Sequence, residues 1–202
     1  MELNIDKRQL VMEWYELYYD DMYRFIWLML GDKQCCEDFV HDTFVRAYTA
    51  YDRFDHRSSV KTWLFSIAKH LVLDEIRKRK RNKYVPVFSF KKELSSSFNL
   101  EKYIENKEAV NQLFTAIQQL KPNYRMVIIL MKVEEYSTKE TANILGWSEV
   151  KVRKTLSRAL QSLRRDRGSG PLSLPSFYTL KQWGSDPLIV NFQQTHLVLL
   201  SF

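Results

Sequence analysis

Over most of residues 8 to 165, outside the stretches 51–59 and 84–107, the apolar side chains recur at intervals of three and four, and Gly31 and Gly146 are the only glycines before residue 168. That period lays one apolar stripe along a helix, whereas a half-buried strand needs strict alternation. An all-α fold is therefore expected. Val11, Tyr15, Tyr18, Tyr19, Met22, Phe25, Ile26 and Met29 mark one long first helix, with Asp20 the place for any break and an end at Gly31. Asp32 is placed to cap a second helix, in which Phe39, Val40, Phe44, Val45 and Tyr48 oppose Glu37, Asp38, His41 and Asp42. Its outer face is acidic.

The stretch Tyr51 to Ser59 loses the period and reads as a loop. A third helix carries Val60, Trp63, Leu64, Ile67, Ala68, Leu71 and Ile76, and six of the seven residues from Arg77 to Lys83 are basic. Two of them would satisfy the partial negative charge of a helix end. Pro86 and a serine run then break the pattern, which predicts a linker over 84–107 between helical domains at 8–83 and 108–167. Helices resume near Ile104. Val110, Leu113, Phe114, Ile117 and Leu120 form one stripe, stopped at Pro122, and Tyr124, Val127, Ile128 and Met131 form the next. Ser137 with Glu140 is a capping box for the helix that follows.

A chain of 202 residues accommodates one medium domain or two small ones, which excludes a large multidomain enzyme. With 45% hydrophobic residues it has the material for a core. The formal charge of +7 favours a polyanionic partner, nucleic acid or an acidic membrane surface. All of that charge belongs to residues 1–167, because residues 168–202 carry only Lys181 and Asp186 as charges. Three readings of this atypical tail stay open: a small element packed on the second domain, an inhibitor site, and a frameshifted or artificial extension, the last slightly favoured. Cys35 and Cys36 are adjacent and close a disulfide only through a strained ring, which suggests a reducing compartment. Neither a signal-peptide pattern nor a run long enough to span a bilayer is found, so a soluble cytoplasmic protein is expected.

Two constellations carry chemistry. STKETANILGWSEVKVRKTLSRALQSLRR has the layout of a helix-turn-helix: Ala142 and Leu145 face inward, Gly146 makes the tight turn, and Ser148 caps a second helix with Val152, Leu156, Leu160 and Leu163 buried. Lys151, Arg153, Lys154, Ser157 and Arg158 lie off that stripe, where a recognition helix meets base edges and phosphates. In the first domain, Tyr51, Phe54, Asp55, His56, Arg57 and Ser58 precede a helix with Trp63 and a basic end. Aromatic faces beside cations suit single-stranded DNA. Each has a plainer reading, a solvated helix pair for the first and core packing of Trp63 for the second.

The segments DMYRFIWLMLGDKQCCEDFVHDTFVRAYTAYDRFDHRSSVKTWLFSIAKHLVLDEIRKRKR and AIQQLKPNYRMVIILMKVEEYSTKETANILGWSEVKVRKTLSRALQSLR resemble, in order, regions 2 and 4 of a bacterial RNA polymerase sigma factor of the extracytoplasmic-function group. The resemblance implies two small helical domains joined by a flexible linker, the second a helix-turn-helix of the winged-helix-like type found in sigma region 4. It also implies that Glu37, Asp38, Asp42 and Thr43 contact the beta-prime clamp helices of core RNA polymerase, and that region 4 docks on the beta flap. By the same resemblance Phe54, Asp55, His56, Arg57, Ser58, Ser59, Lys61, Trp63, Lys69, His70, Asp74, Arg77, Arg79 and Arg81 belong to the minus-10 strand site. Lys151, Arg153, Lys154, Ser157 and Arg158 then read the minus-35 duplex of promoter DNA. An anti-sigma factor that can hold the protein near the membrane is a further implied partner.

His70 stands where the family commonly has Asn, Val150 and Lys151 replace a frequent Gly-Thr, and Cys36 occupies a usual Ala position, where a small buried thiol is expected. No metal is assigned, because Cys35, Cys36, His41, His56 and His70 lack zinc-site spacing. No cofactor, phosphate loop or nucleophile elbow is recognised, and Asp74 and Glu75 read as partners of the basic run. The expected function is promoter-specific initiation without catalysis; a free-standing helix-turn-helix regulator is the alternative, and it leaves the first domain unexplained.

Overall fold

The computed structural model describes residues 7–82 and 112–165. Among the described residues the regular structure is helical throughout: α1 (Lys7–Leu30), α2 (Cys36–Ala50), a 3-10 turn (Tyr51–Arg53), α3 (Val60–Arg81), α4 (112–119), α5 (Pro122–Ile128) running into a π-helical turn (Ile129–Val133), α6 (Thr138–Leu145) and α7 (Glu149–Arg165). The expected linker, Lys83, the helix start near Ile104 and the tail at 168–202 lie outside the described residues.

Helix α1 is the one long helix expected, continuous through Asp20. Every side chain from Met22 to Leu30 is buried, which happens when a helix has protein on all sides. Helices α2 and α3 cover one side. On another, the Trp27 ring stacks on Phe114 of α4 at 4.6 Å, and Gln118 Nε2 donates to Leu28 O at 2.6 Å. Arg125 of α5 donates to Met29 O at 2.5 Å and to the Ile117, Gln118 and Leu120 carbonyls at the end of α4. Burial lowers the Arg125 pKa to about 10, and its bonds all go to carbonyl dipoles. The two helical units expected from the sequence are thus packed against each other.

Gly31 ends α1 with φ of 72°, a left-handed conformation that costs glycine nothing. Asp32 does not cap α2. That helix starts after Cys35, and the Asp32 carboxylate accepts instead from Gln34 N at 3.1 Å and Arg79 Nη2 at 3.2 Å. Helix α3 begins with Ser59 Oγ accepting from Thr62 N at 3.1 Å. In the second unit the Ser137–Glu140 capping box forms with both bonds, Gly146 turns at φ of 67°, and Ser148 Oγ accepts from Lys151 N at 3.3 Å. Helices α5 and α6 both pack on α7.

The π-turn has a visible effect. Glu134 N–H reaches back to Ile129 O at 2.9 Å, five residues away. That extra residue per turn directs the Glu134 side chain into the interior, where it meets Arg24.

Candidate nucleic-acid interface

The loop between the 3-10 turn and α3 holds an aromatic ladder. Phe54 is buried and stacks on the half-buried Trp63 at 4.6 Å, with interplanar angle 23°, and Trp14 of α1 meets both rings edge-on. His56, exposed, lies against Phe54 at 4.4 Å with φ of 56°. Trp63 therefore serves as core on one side, and His56 is the ring presented to solvent.

In the loop and along α3 the expected strand-site residues divide. Asp55 and Arg57 are exposed and paired at 3.2 Å, Ser58 is half-buried, and Ser59 is occupied as the α3 cap. His70 is exposed, its Nδ1 at 2.7 Å from Ser66 O. Asp74 and Arg77 pair at 2.6 Å on the surface, and Arg81 is exposed.

Three residues differ from expectation. Lys61 bonds Asp21 at 2.5 Å. Lys69 is buried and donates to Ile144 O of α6 at 2.7 Å; burial lowers its pKa. Arg79, side chain 13% exposed, is held by Glu75 (2.7 Å), Asp32 and Cys35 Sγ (3.1 Å). It fastens the end of α3 to the α1–α2 connection. Helical spacing alone could not show that Lys69 meets α6 or that Arg79 turns inward.

On α7, Val152, Ala159 and Leu163 are buried, with Leu156 and Leu160 partly so. Lys151, Arg153, Lys154, Ser157 and Arg158 are all exposed, away from that stripe. Lys151 lies over the Trp147 ring at 4.2 Å, and Arg153 bonds Glu149 at 3.1 Å. The result is a long basic face beginning at a helix N-terminus, the shape that enters a major groove.

Of the residues expected to meet core polymerase, Asp38 and Asp42 are exposed and Glu37 half-buried on α2. Thr43 departs from the expectation. It is fully buried and its hydroxyl donates to Phe39 O at 2.7 Å. Cys36 is also fully buried, its thiol donating to Asp32 O at 3.0 Å. Among the described residues no helix is long and apolar enough to cross a membrane.

A helical unit with an aromatic and basic loop-helix face, packed against a helix-turn-helix whose second helix carries an exposed basic row, has the layout of a DNA-binding protein. The sigma-70 region 2 model matches residues 14–82 and the sigma-70 region 4 model residues 111–163. The chain is 35% identical over 155 residues to the ECF RNA polymerase sigma factor SigX of Bacillus subtilis, covering 75% of this chain and 80% of SigX. It is 32% identical over 155 residues to SigM of the same organism, covering 75% of this chain and 91% of SigM. Its fold matches the sigma factor RpoE of Bartonella quintana, solved with the anti-sigma factor NepR, with TM-score 0.60, 24% identity, and coverage of 76% of this chain and 94% of that one. CnrH, solved with the cytosolic domain of CnrY, matches with TM-score 0.56, 22% identity and coverage of 79% and 89%. The chain belongs to the ECF RNA polymerase sigma factors, transcription-initiation factors that direct RNA polymerase to promoters.

Proposed function

We infer that promoter reading is divided within this chain. The His56–Phe54–Trp63 ladder, with Asp55, Arg57 and Ser58 beside it and His70, Arg77 and Arg81 further along α3, captures the minus-10 strand. Helix α7 reads the minus-35 duplex through Lys151, Arg153, Lys154, Ser157 and Arg158. The observation that carries this reading is the exposed basic row on α7, set apart from its buried stripe.

Physically, a base leaving the duplex gives up stacking worth a few kcal/mol, and ring stacking with phosphate neutralisation offsets that cost. No group here needs to make or break a covalent bond, so the chain acts without catalysis of its own. The acidic face of α2, with Glu37, Asp38 and Asp42, is the surface for core polymerase. A cytoplasmic location follows from that partner. The sigma factor RpoE of Bartonella quintana, which shares this fold, has been solved with the anti-sigma factor NepR, and an inhibitor of this kind is the second partner proposed here.

The test is a pair of variants in the holoenzyme. Lys154→Ala is expected to weaken binding to promoters with an intact minus-35 element and to leave element-deleted promoters unaffected. His56→Asn is expected to weaken binding to a minus-10 single strand alone. Equal losses on both DNA types for both variants contradict the division.

A further inference from the structure

Val150 is 51% exposed in the first turn of α7 and is packed against no part of the core. Its burial is not what keeps it there, and a β-branched residue gains little as a surface helix former. Its position on the helix is more informative. At 3.6 residues per turn it lies one turn before Lys154 and two turns before Ser157 and Arg158. All four share the strip opposite the buried Val152.

The neighbouring polar side chains are engaged at the margins of this strip. Arg153 bonds Glu149, and Lys151 lies over Trp147. That leaves Val150 as the apolar tip of an otherwise cationic and hydroxylic row. Two methyl groups there have no hydrogen bond to offer a base edge. The one apolar feature of the major groove is the 5-methyl group of thymine.

We propose that Val150 is a specificity-determining residue that reads the 5-methyl group of a thymine in the minus-35 duplex. The proposal rests on the reading that α7 enters that groove. Lys154 and Arg158 then supply the contacts to phosphates or guanine edges further along the same strip, and Ser157 lies between them. The first turn favours thymine over cytosine because only thymine fills the space against the valine.

The test uses the full chain assembled with core polymerase and a promoter duplex selected by transcription from a genomic library. Each thymine of the minus-35 element is replaced in turn by deoxyuridine, which removes the methyl and keeps the pairing. At one position the wild-type affinity is expected to fall about fourfold, the equivalent of one buried methyl-sized group. Val150→Ala is expected to bind the unmodified duplex with a similar deficit and to show no further loss at that position. Val150→Ile, which keeps an apolar branched tip, retains the methyl sensitivity and serves as a second variant if the alanine form is poorly folded.

Methyl sensitivity unchanged in Val150→Ala, or absent at every thymine in wild type, overturns the proposal. If wild type still prefers the selected duplex to a scrambled one, the minus-35 reading survives that failure. Loss of any sequence preference overturns both.

Discussion

Arg24 of α1 and Glu134, 110 residues later, form a two-armed ion pair, Nε to Oε1 at 2.7 Å and Nη2 to Oε2 at 2.9 Å, with both side chains almost wholly out of solvent. Arg24 also bonds Asp21 at 2.5 Å, and Asp21 bonds Lys61. Burial works against the Arg24 charge, but Glu134 and Asp21 more than offset it and its pKa is raised. Burial likewise raises the Glu134 pKa, against the pull of Arg24. Glu134→Ala leaves a buried guanidinium without its main partner, so the chain should lose about 3 to 5 kcal/mol in urea unfolding. A loss below about 1 kcal/mol would show that Arg24 finds water or Asp21 sufficient.

The same pair ties the two units together, whereas the elements named minus-10 and minus-35 are about 25 base pairs apart, roughly 85 Å of B-DNA. By chain length alone, residues 83–111 allow a separation of at most roughly 95 Å, at about 3.3 Å per residue. If the two units read these elements as proposed they must separate, which would also free Lys69 from Ile144 O. Fluorophores at the exposed Thr49 and Gln161 should report a distance that is longer in the promoter complex than in the free chain by roughly tens of Å. An unchanged distance would contradict this opening.

In the aromatic ladder, the structural role of Phe54 is separable from the DNA-facing role proposed for His56. Phe54→Ala removes a buried ring that packs on both Trp63 and Trp14 and should cost about 3 kcal/mol of stability. His56→Asn keeps a residue tolerant of positive φ and should alter stability by no more than about 0.5 kcal/mol. The same change should weaken minus-10 strand binding about tenfold, in line with one base–ring stack. Thermal melts and oligonucleotide titrations of both variants check the contrast.

Glu135, at φ of 60°, follows the buried carboxylate in a backbone conformation that favours glycine. Its side chain is exposed, so glycine there gives up no burial, only an interaction of an exposed side chain worth a few tenths of a kcal/mol. Glu135→Gly should raise stability by up to about 1 kcal/mol, read as a higher urea midpoint with an unchanged slope.

The α6 cap predicts a pH response. Bonds from the Ser137 hydroxyl and backbone lower the Glu140 pKa below its ordinary 4.5. A depressed carboxylate contributes stability that is complete above 4.5 and is lost as pH falls through the folded-state value. Glu140→Gln should remove that acid-limb contribution, and Ser137→Ala should cost about 1 kcal/mol at neutral pH. Urea unfolding between pH 3 and pH 7, a range set roughly by the carboxylate titration, measures both.

Local signals carried much of the fold. The stripe on α7, the capping box and the turn at Gly146 each involve residues within a few positions of one another, and periodicity plus capping chemistry identifies them. Contacts between the units were less legible. Phe25 to Leu30 form a continuous apolar run that one stripe does not account for, with Arg24 set beside it. That surplus was the available signal that α1 is covered on more than one side, but nothing local names Phe114, Gln118 or Arg125 as the cover. For the same reason the sequence placed Lys69, Arg79 and Thr43 among surface contacts, although packing turns all three inward. The π-turn before Glu134 has no compositional mark at all.

The most direct measurement is run-off transcription from a genomic promoter library, with the purified chain added to core RNA polymerase. Promoter-dependent transcripts should appear only when both are present and should fail when either the minus-10 or the minus-35 element is scrambled. Tight sequence-specific binding by the chain alone, with no promoter-dependent transcript from the mixture, would contradict its assignment as an initiation factor and favour a free-standing regulator.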